Sequence, residues 1–276
     1  MNKRLLIFLF VFLLIISCTN QNTENMPREH KAIFLHHSTG QHIWLGNASK
    51  IQRKLFHEGN FERWMKKYNK KNKSDFWVKE LAFPKQKPYG WENYPYDYYN
   101  IWVKNAGDKP FKEEPTLEML TKDYGLIIWK HCFPVSDIKE DTGSPDINSK
   151  EHRLENYKLQ YNALKEKMHQ FPDTKFLVWT GAVQVKGNIS EESALRMKEF
   201  VNWVRNEWDE KGDNIFIWDF YALETEGGLY LKEEYAYAPN DAHPNKTFSE
   251  KVIPYFGKRV IDVMSDKGDE TDISGK

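Results

Sequence analysis

Short apolar runs bounded by polar turns recur along this chain and alternate with longer amphipathic stretches. That alternation is what most narrows the folds open to it. Lys31-Ala-Ile-Phe-Leu35, Ile101-Trp-Val103, Leu126-Ile-Ile-Trp129, Lys175-Phe-Leu-Val-Trp179 and Ile215-Phe-Ile-Trp218 are too short for helices and read as buried strands. Between them, 151–170 carries Leu154, Tyr157, Tyr161, Leu164 and Met168 at spacings of three and four, the spacing of one helical face. Residues 191–208 repeat the pattern with Leu195, Met197, Phe200, Val201, Val204 and Trp208. Helices are also expected over 43–64 (broken near Gly59), 115–124 and 248–264. Strands separated by helices imply right-handed crossovers and a parallel sheet covered on both faces, a three-layer α/β/α fold. In such sheets ligands bind at the carboxyl ends of the strands. The residues that follow each strand therefore matter most: His36-His37-Ser38, Asn105 to Gly107, Lys130 to Ser136, Thr180-Gly181 and Asp219.

The 276 residues include 10 Trp, 14 Tyr and 17 Phe, enough aromatic surface for a packed core and unlike a disordered chain. Forty basic residues balance 40 acidic ones, so no basic field exists to hold nucleic acid. A mean hydropathy of −0.74 excludes a multi-span membrane protein. One stretch, 74–100, is crowded with Trp, Tyr and Phe and broken by Pro84, Pro88 and Pro95. It reads as a long aromatic loop that covers the core or offers a rim on which sugars stack.

The amino terminus departs from this average. Lys3 and Arg4 precede an apolar run from Leu5 to Ile16 that ends at Ser17-Cys18. Its helix would rise about 18 Å, short of the roughly 30 Å of a bilayer core. It reads as a signal segment rather than a span. The run Ile15-Ile16-Ser17-Cys18 resembles a bacterial lipoprotein signal, which implies cleavage before Cys18, lipid on Cys18 and membrane attachment at the cell envelope. The expected organisation is a signal segment 1–17, a polar tether 18–30, one folded domain 31–264 and a frayed tail 265–276. With Cys18 lipidated, Cys132 has no partner within the chain, and it reads as a small buried hydrophobe.

Two segments carry the residue types of nucleophilic catalysis. Phe34-Leu-His-His-Ser-Thr-Gly40 ends a buried strand in a small polar turn, which sets the Ser38 hydroxyl at the sheet edge near helix amides. Ala238-Pro-Asn-Asp-Ala-His-Pro-Asn245 offers His243 with Asp241 two residues earlier, just before the last helix. A serine needs a base to take its proton, and the base needs an orienting carboxylate.

With these residues in place the chain resembles the SGNH, or GDSL-like, hydrolase superfamily. That family sets its nucleophilic serine after the first strand and an aspartate and histidine before the final helix. The resemblance implies a flavodoxin-like sheet and a serine esterase with Ser38, Asp241 and His243 as catalytic residues. Its substrates would be acyl groups such as acetate on carbohydrate, with no metal or other cofactor. His36-His37-Ser38 stands where the family has Gly-Asp-Ser, and His243-Pro244 keeps its His-Pro. Asn240 occupies the usual carboxylate position, with Asp241 one residue closer. Asn105-Ala-Gly107 resembles the second family block, which implies Gly107 as an oxyanion donor beside the amide of Ser38. The third block, which usually supplies an asparagine, reads Lys130-His131-Cys132.

Other readings of the same residues are a helix cap at Ser38 and a packed His243. His36, His37, Asp241 and His243 also have the donor types of a zinc hydrolase, although adjacent residues of a strand point to opposite faces. A glycan-binding lipoprotein without catalysis is the third alternative.

Overall fold

The computed structural model describes residues 25–276, apart from residues 50 and 57. The signal segment and Cys18 lie outside the described residues. Five parallel strands form the central sheet: β1 (Lys31–His36), β2 (Trp77–Ala82), β3 (Leu126–Trp129), β4 (Lys175–Trp179) and β5 (Ile215–Trp218). Their order is β2-β1-β3-β4-β5. The chain winds outward from β1 in both directions, so the crossovers separate at the carboxyl ends of β1 and β3 and leave a crevice there.

Alternation along the strands sorts the core into two layers. Ala32 and Phe34 of β1, Leu126 and Ile128 of β3, and Trp179 and Trp218 face helices α1 (Ser38–Leu45), α2 (Asn60–Asn72) and the carboxyl-terminal helix. Ile33, Leu35, Ile127 and Trp129 face the other layer: α3 (Pro95–Tyr99), α4 (Leu117–Asp123), α5 (Leu154–His169) and α6 (Glu191–Trp203). After β5 come α7 (Phe220–Thr225), a two-stranded antiparallel hairpin of β6 (Ala236–Ala238) and β7 (Asp241–Pro244), and α8 (Lys246–Met264).

The fold class expected from the sequence is the one observed, with corrections in three places. The second strand is Trp77–Ala82, not 101–103. It lies at the sheet edge, so its half-covered pattern with Lys79 and Glu80 in the middle hides among the aromatic and proline residues around it. Ile101 and Trp102 are buried on a helical face with Tyr98, where α3 widens into a π-helical turn over Asn100–Lys104. Phe83, Trp91, Tyr98 and Trp102 of this region are core residues, so most of the expected aromatic loop is packing.

The tether expected over 18–30 is docked by its last residues. Arg28 donates to the carbonyl of Thr121 (3.0 Å), Thr174 Oγ1 (2.7 Å) and the carbonyl of Asp173 (2.7 Å) at the amino edge of the sheet. The tail expected to fray from 265 instead runs beside β5. Arg259 donates to the carbonyl of Gly268 (2.6 Å), Asp219 N–H to that of Ile273 (2.8 Å) and Trp218 Nε1 to that of Ser274 (2.9 Å). Its polar composition conceals this because the tail is held mainly by its backbone carbonyls, with Ile273 its one apolar side chain packed on the core. Gly268 lies so close to Phe216 that a Cβ there would fall 2.4 Å from the ring.

Candidate active site

Ser38 is the first residue of α1, directly beyond β1, and is half-buried. The first amides of a helix have no partner within it, so the N–H groups of the Ser38 turn are free to face an anion. Gly40 lets α1 start this close to the strand: a Cβ there would lie 2.5 Å from His36 Cβ. His36 is pinned in turn, its Nε2 3.0 Å from Glu80 Oε2. The Ser38 hydroxyl lies 3.6 Å from Cys132 Sγ, which reaches the same crevice from the end of β3.

His243 stands on β7. Its Nδ1 is 2.5 Å from Asp241 Oδ1, which also accepts the His243 backbone N–H at 3.0 Å. A carboxylate accepts only, so Nδ1 carries the proton and Nε2 keeps its lone pair, the tautomer a general base needs. Burial raises the Asp241 carboxyl, but its bonds from His243 outweigh that and hold it below the usual carboxylate range. Asp241, rather than Asn240, therefore orients the ring; the Asn240 carbonyl accepts from Asn188 instead.

Contacts to α1 and to the β3 loop carry His243 to the serine. His42, one turn after Ser38, stacks on the His243 ring with centroids 4.8 Å apart and planes 23° apart. His42 Nδ1 is 2.9 Å from the Pro244 carbonyl, which ties α1 to β7. Phe133, next to Cys132, sets its ring edge-on to His243 at 4.9 Å. Asn245 fixes the far end: its Oδ1 caps α8 by accepting Phe248 N–H at 2.9 Å, and its Nδ2 donates to the Glu234 carbonyl at 2.7 Å. Ser38 and His243 thus share neighbours, α1 through His42 and the Cys132-Phe133 turn after β3. No hydrogen bond joins Ser38 to His243; contacts of this kind commonly tighten only when substrate is bound.

Gly107 is placed elsewhere. Its carbonyl accepts from Thr116 Oγ1 at 2.5 Å. Its N–H faces the Glu118 carboxylate, which pairs with Lys167 in the last turn of α5. Asn105-Ala-Gly107 follows a helix rather than a strand, so the structure does not bring the amide of Gly107 to Ser38.

The third position holds a different group. Lys130 continues the Leu126–Ile128 face of β3 and is fully buried; its Nζ donates to Cys132 Sγ at 3.4 Å. Burial pushes its ammonium down. Behind it Glu224 is fully buried, with Oε2 accepting Val183 N–H at 3.0 Å. Burial pushes this carboxyl up to about 8. Burial chiefly, and the Lys130 charge in a smaller part, also push His37 and His42 down. His131 points to the opposite layer, packs edge-on against Tyr98 and is pushed by burial to about 3, a neutral packing residue.

The four zinc-type donors do not converge. His36 goes to Glu80, His37 Nε2 to the Pro84 carbonyl, and only Asp241 and His243 meet. Thr180 and Asp219, also at strand ends, bond each other at 2.8 Å and brace α7 through Ala222 and the π-helical turn after α6 through Arg205. His42, Phe133, Asn245 and Glu224 were not singled out in the sequence. Of these, only His42 leaves a sequence signal, its i+4 spacing from Ser38. Comparison with family models, curated proteins and solved structures gave no match, so the site rests on its geometry.

Proposed function

We propose that this chain is a serine hydrolase of the SGNH type that removes short acyl groups such as acetate from carbohydrate. It would act at the cell envelope, attached to the membrane by a lipid on Cys18. The observation that carries the reading is the Asp241–His243 pair, hydrogen-bonded at 2.5 Å and stacked on the same helix that begins with Ser38.

In the reaction, Ser38 Oγ attacks the acyl carbon while His243 Nε2 takes its proton. The alcohol leaves with that proton, and water then attacks the acyl-enzyme by the same route. Asp241 holds the ring and stabilises the imidazolium. Two neighbours suit a sugar ester: Phe133 offers an apolar wall for a short acyl group, and the exposed Tyr237, edge-on to His42 at 5.9 Å, offers a face for a pyranose ring.

Fluorophosphonate labelling and hydrolysis of an aryl acetate test the reading. Wild type is expected to label at Ser38 and turn over, and Ser38→Ala to do neither. Turnover that persists in Ser38→Ala overturns it. Binding of acetylated glycans with no turnover in wild type would favour a glycan-binding protein instead.

A further inference from the structure

We propose that the lysine-rich end of α2 docks on the anionic headgroup surface of the bilayer that would hold the Cys18 lipid. The inference rests on the lipoprotein part of the reading above and adds a second contact to it.

From Arg63 to Ser74 the chain carries Arg63, Lys66, Lys67, Lys70, Lys71 and Lys73 and no acidic residue, in a protein whose basic and acidic residues balance overall. α2 turns Phe61, Met65 and Asn69 inward and leaves all six cations exposed. Glu58 takes up Arg63 and Lys66. Lys67, Lys70, Lys71 and Lys73 have no carboxylate partner among the described residues. A helix end favours a cation or two, because its last carbonyls are negative. The rest of the row works against the helix. Lys67 sits four residues from Arg63 and from Lys71, Lys66 sits four from Lys70, and like charges at that spacing repel. A merely solvated face would interleave acidic residues. A row of uncompensated cations fits a surface that is itself negative.

Its place identifies that surface. Lys73 caps α2, and Ser74, Asp75 and Phe76 lead from it to the start of β2. Asn69 Nδ2 donates to the Phe76 carbonyl at 2.7 Å, which fixes the end of α2 against that strand. Asp75 Oδ1 lies 2.6 Å from His30 Nδ1, and Phe76 meets the His30 ring edge-on with centroids 5.3 Å apart. His30 immediately precedes β1 and stands two residues beyond the clamped Arg28. The lysines and the entry of the chain therefore share the amino pole of the domain. Ten residues lead from Cys18 to Arg28, a reach of no more than about 36 Å even fully extended. A bilayer bearing lipid on Cys18 lies within that distance of the lysines' own pole. The apolar residues of α2 are committed to the core, with Trp64 packed where Gly257 of α8 has no Cβ. Contact with lipid would thus be electrostatic and without insertion, acting within a Debye length of about 8–10 Å and weakening with salt.

The test uses the full-length lipidated protein in vesicles of phosphatidylcholine, alone or with about 30% phosphatidylglycerol to make the surface negative. A membrane-impermeant acetylating reagent, read by mass spectrometry, reports the exposure of each lysine amine. With phosphatidylglycerol present, Lys66, Lys67, Lys70, Lys71 and Lys73 are expected to acetylate at least about fivefold more slowly, and about 0.5 M salt should abolish the difference. Lys186, exposed beyond β4 at the other pole, should not change. The quadruple variant Lys67→Gln, Lys70→Gln, Lys71→Gln, Lys73→Gln should lose the protection of Lys66. Equal rates in the two kinds of vesicle overturn the proposal. Slowing that survives salt, or that extends to Lys186, overturns it too, since it reports crowding rather than charge. Slowing by soluble polyglycerol phosphate and not by vesicles overturns it in favour of a polymer partner. If the quadruple variant does not fold, the comparison of wild type in the two vesicles decides. The mass of the purified protein reads the lipid independently. An unmodified Cys18 removes the anchor and this proposal with it, while equal rates on a lipidated protein remove this proposal alone.

Discussion

Gly40→Ala tests how tightly the serine is set against the sheet. In a solvent-facing helix, alanine for glycine gains up to about 1 kcal/mol. Here the new Cβ would lie 2.5 Å from His36 Cβ and 2.7 Å from its Cγ. No rotamer of His36 relieves the first contact, because a Cβ is fixed by its backbone. Carbon atoms pack at about 3.5–4.0 Å, so the start of α1 must retreat by roughly 1 Å. Overpacking of this kind costs about 1–3 kcal/mol, which cancels the helix gain and leaves a net loss of up to about 2 kcal/mol. At about 2–4 °C per kcal/mol, Tm should fall by as much as about 8 °C. Ser38 begins the same helix, and a shift of about 1 Å at a reacting group costs on the order of 10²-fold in rate. Thermal unfolding and aryl acetate turnover, measured on the same preparation, should thus show a modest loss of stability and a large loss of kcat. A variant that melts higher than wild type and keeps its turnover would refute both the close contact and the position of the serine.

Three further outcomes are expected. Ser38→Ala and His243→Ala should each abolish nearly all turnover and the double variant little more, because nucleophile and base act as one unit; losses that multiply would dissolve the pair. Glu224, pushed up to about 8 by burial, keeps its proton in the native state while the unfolded carboxyl ionises near 4.3. Its contribution is thus full below about pH 4 and lost as pH rises toward 8, and urea unfolding at pH 5 and 8 should show a fall that Glu224→Gln flattens. Deleting residues 267–276 uncovers Phe216 and strands the Trp218 and Asp219 donors, so Tm should drop by several degrees, whereas an unchanged melting curve would show the tail to be dispensable.

The layered architecture was legible because β1, β3, β4 and β5 are apolar on both faces and so read as unbroken runs. β2 was not, because an edge strand covered on one side tolerates Lys79 and Glu80. Ile101-Trp-Val103 misled because a triplet is shorter than the periods that separate helix from strand; its link to Tyr98 shows the helical face. At the site, Ser38, Asp241 and His243 could be named from residue types and order. The partners that position them, His42 and Phe133, depend on which loops the fold brings together. Lys130 was named as a strand-end residue, but its burial was not legible: charge at a strand end suggests solvent, and only the three-dimensional structure shows it enclosed.

The docking of Arg28 fixes a polarity that bears on how the molecule would stand at a membrane. The chain enters the domain at the amino edge of the sheet, where Arg28 is clamped by Thr121, Asp173 and Thr174. Ser38 lies beyond the other end of β1, about 20 Å away along a six-residue strand. With lipid on Cys18, the anchored end and the crevice would occupy opposite poles of the domain. The mouth lined by Tyr237 and His243 would then open away from the bilayer, toward soluble or wall-bound polymers rather than the lipid beneath. Reattaching the lipid at the carboxyl terminus, beside β5, would turn that mouth and should slow hydrolysis of large polymers while leaving small aryl esters unaffected.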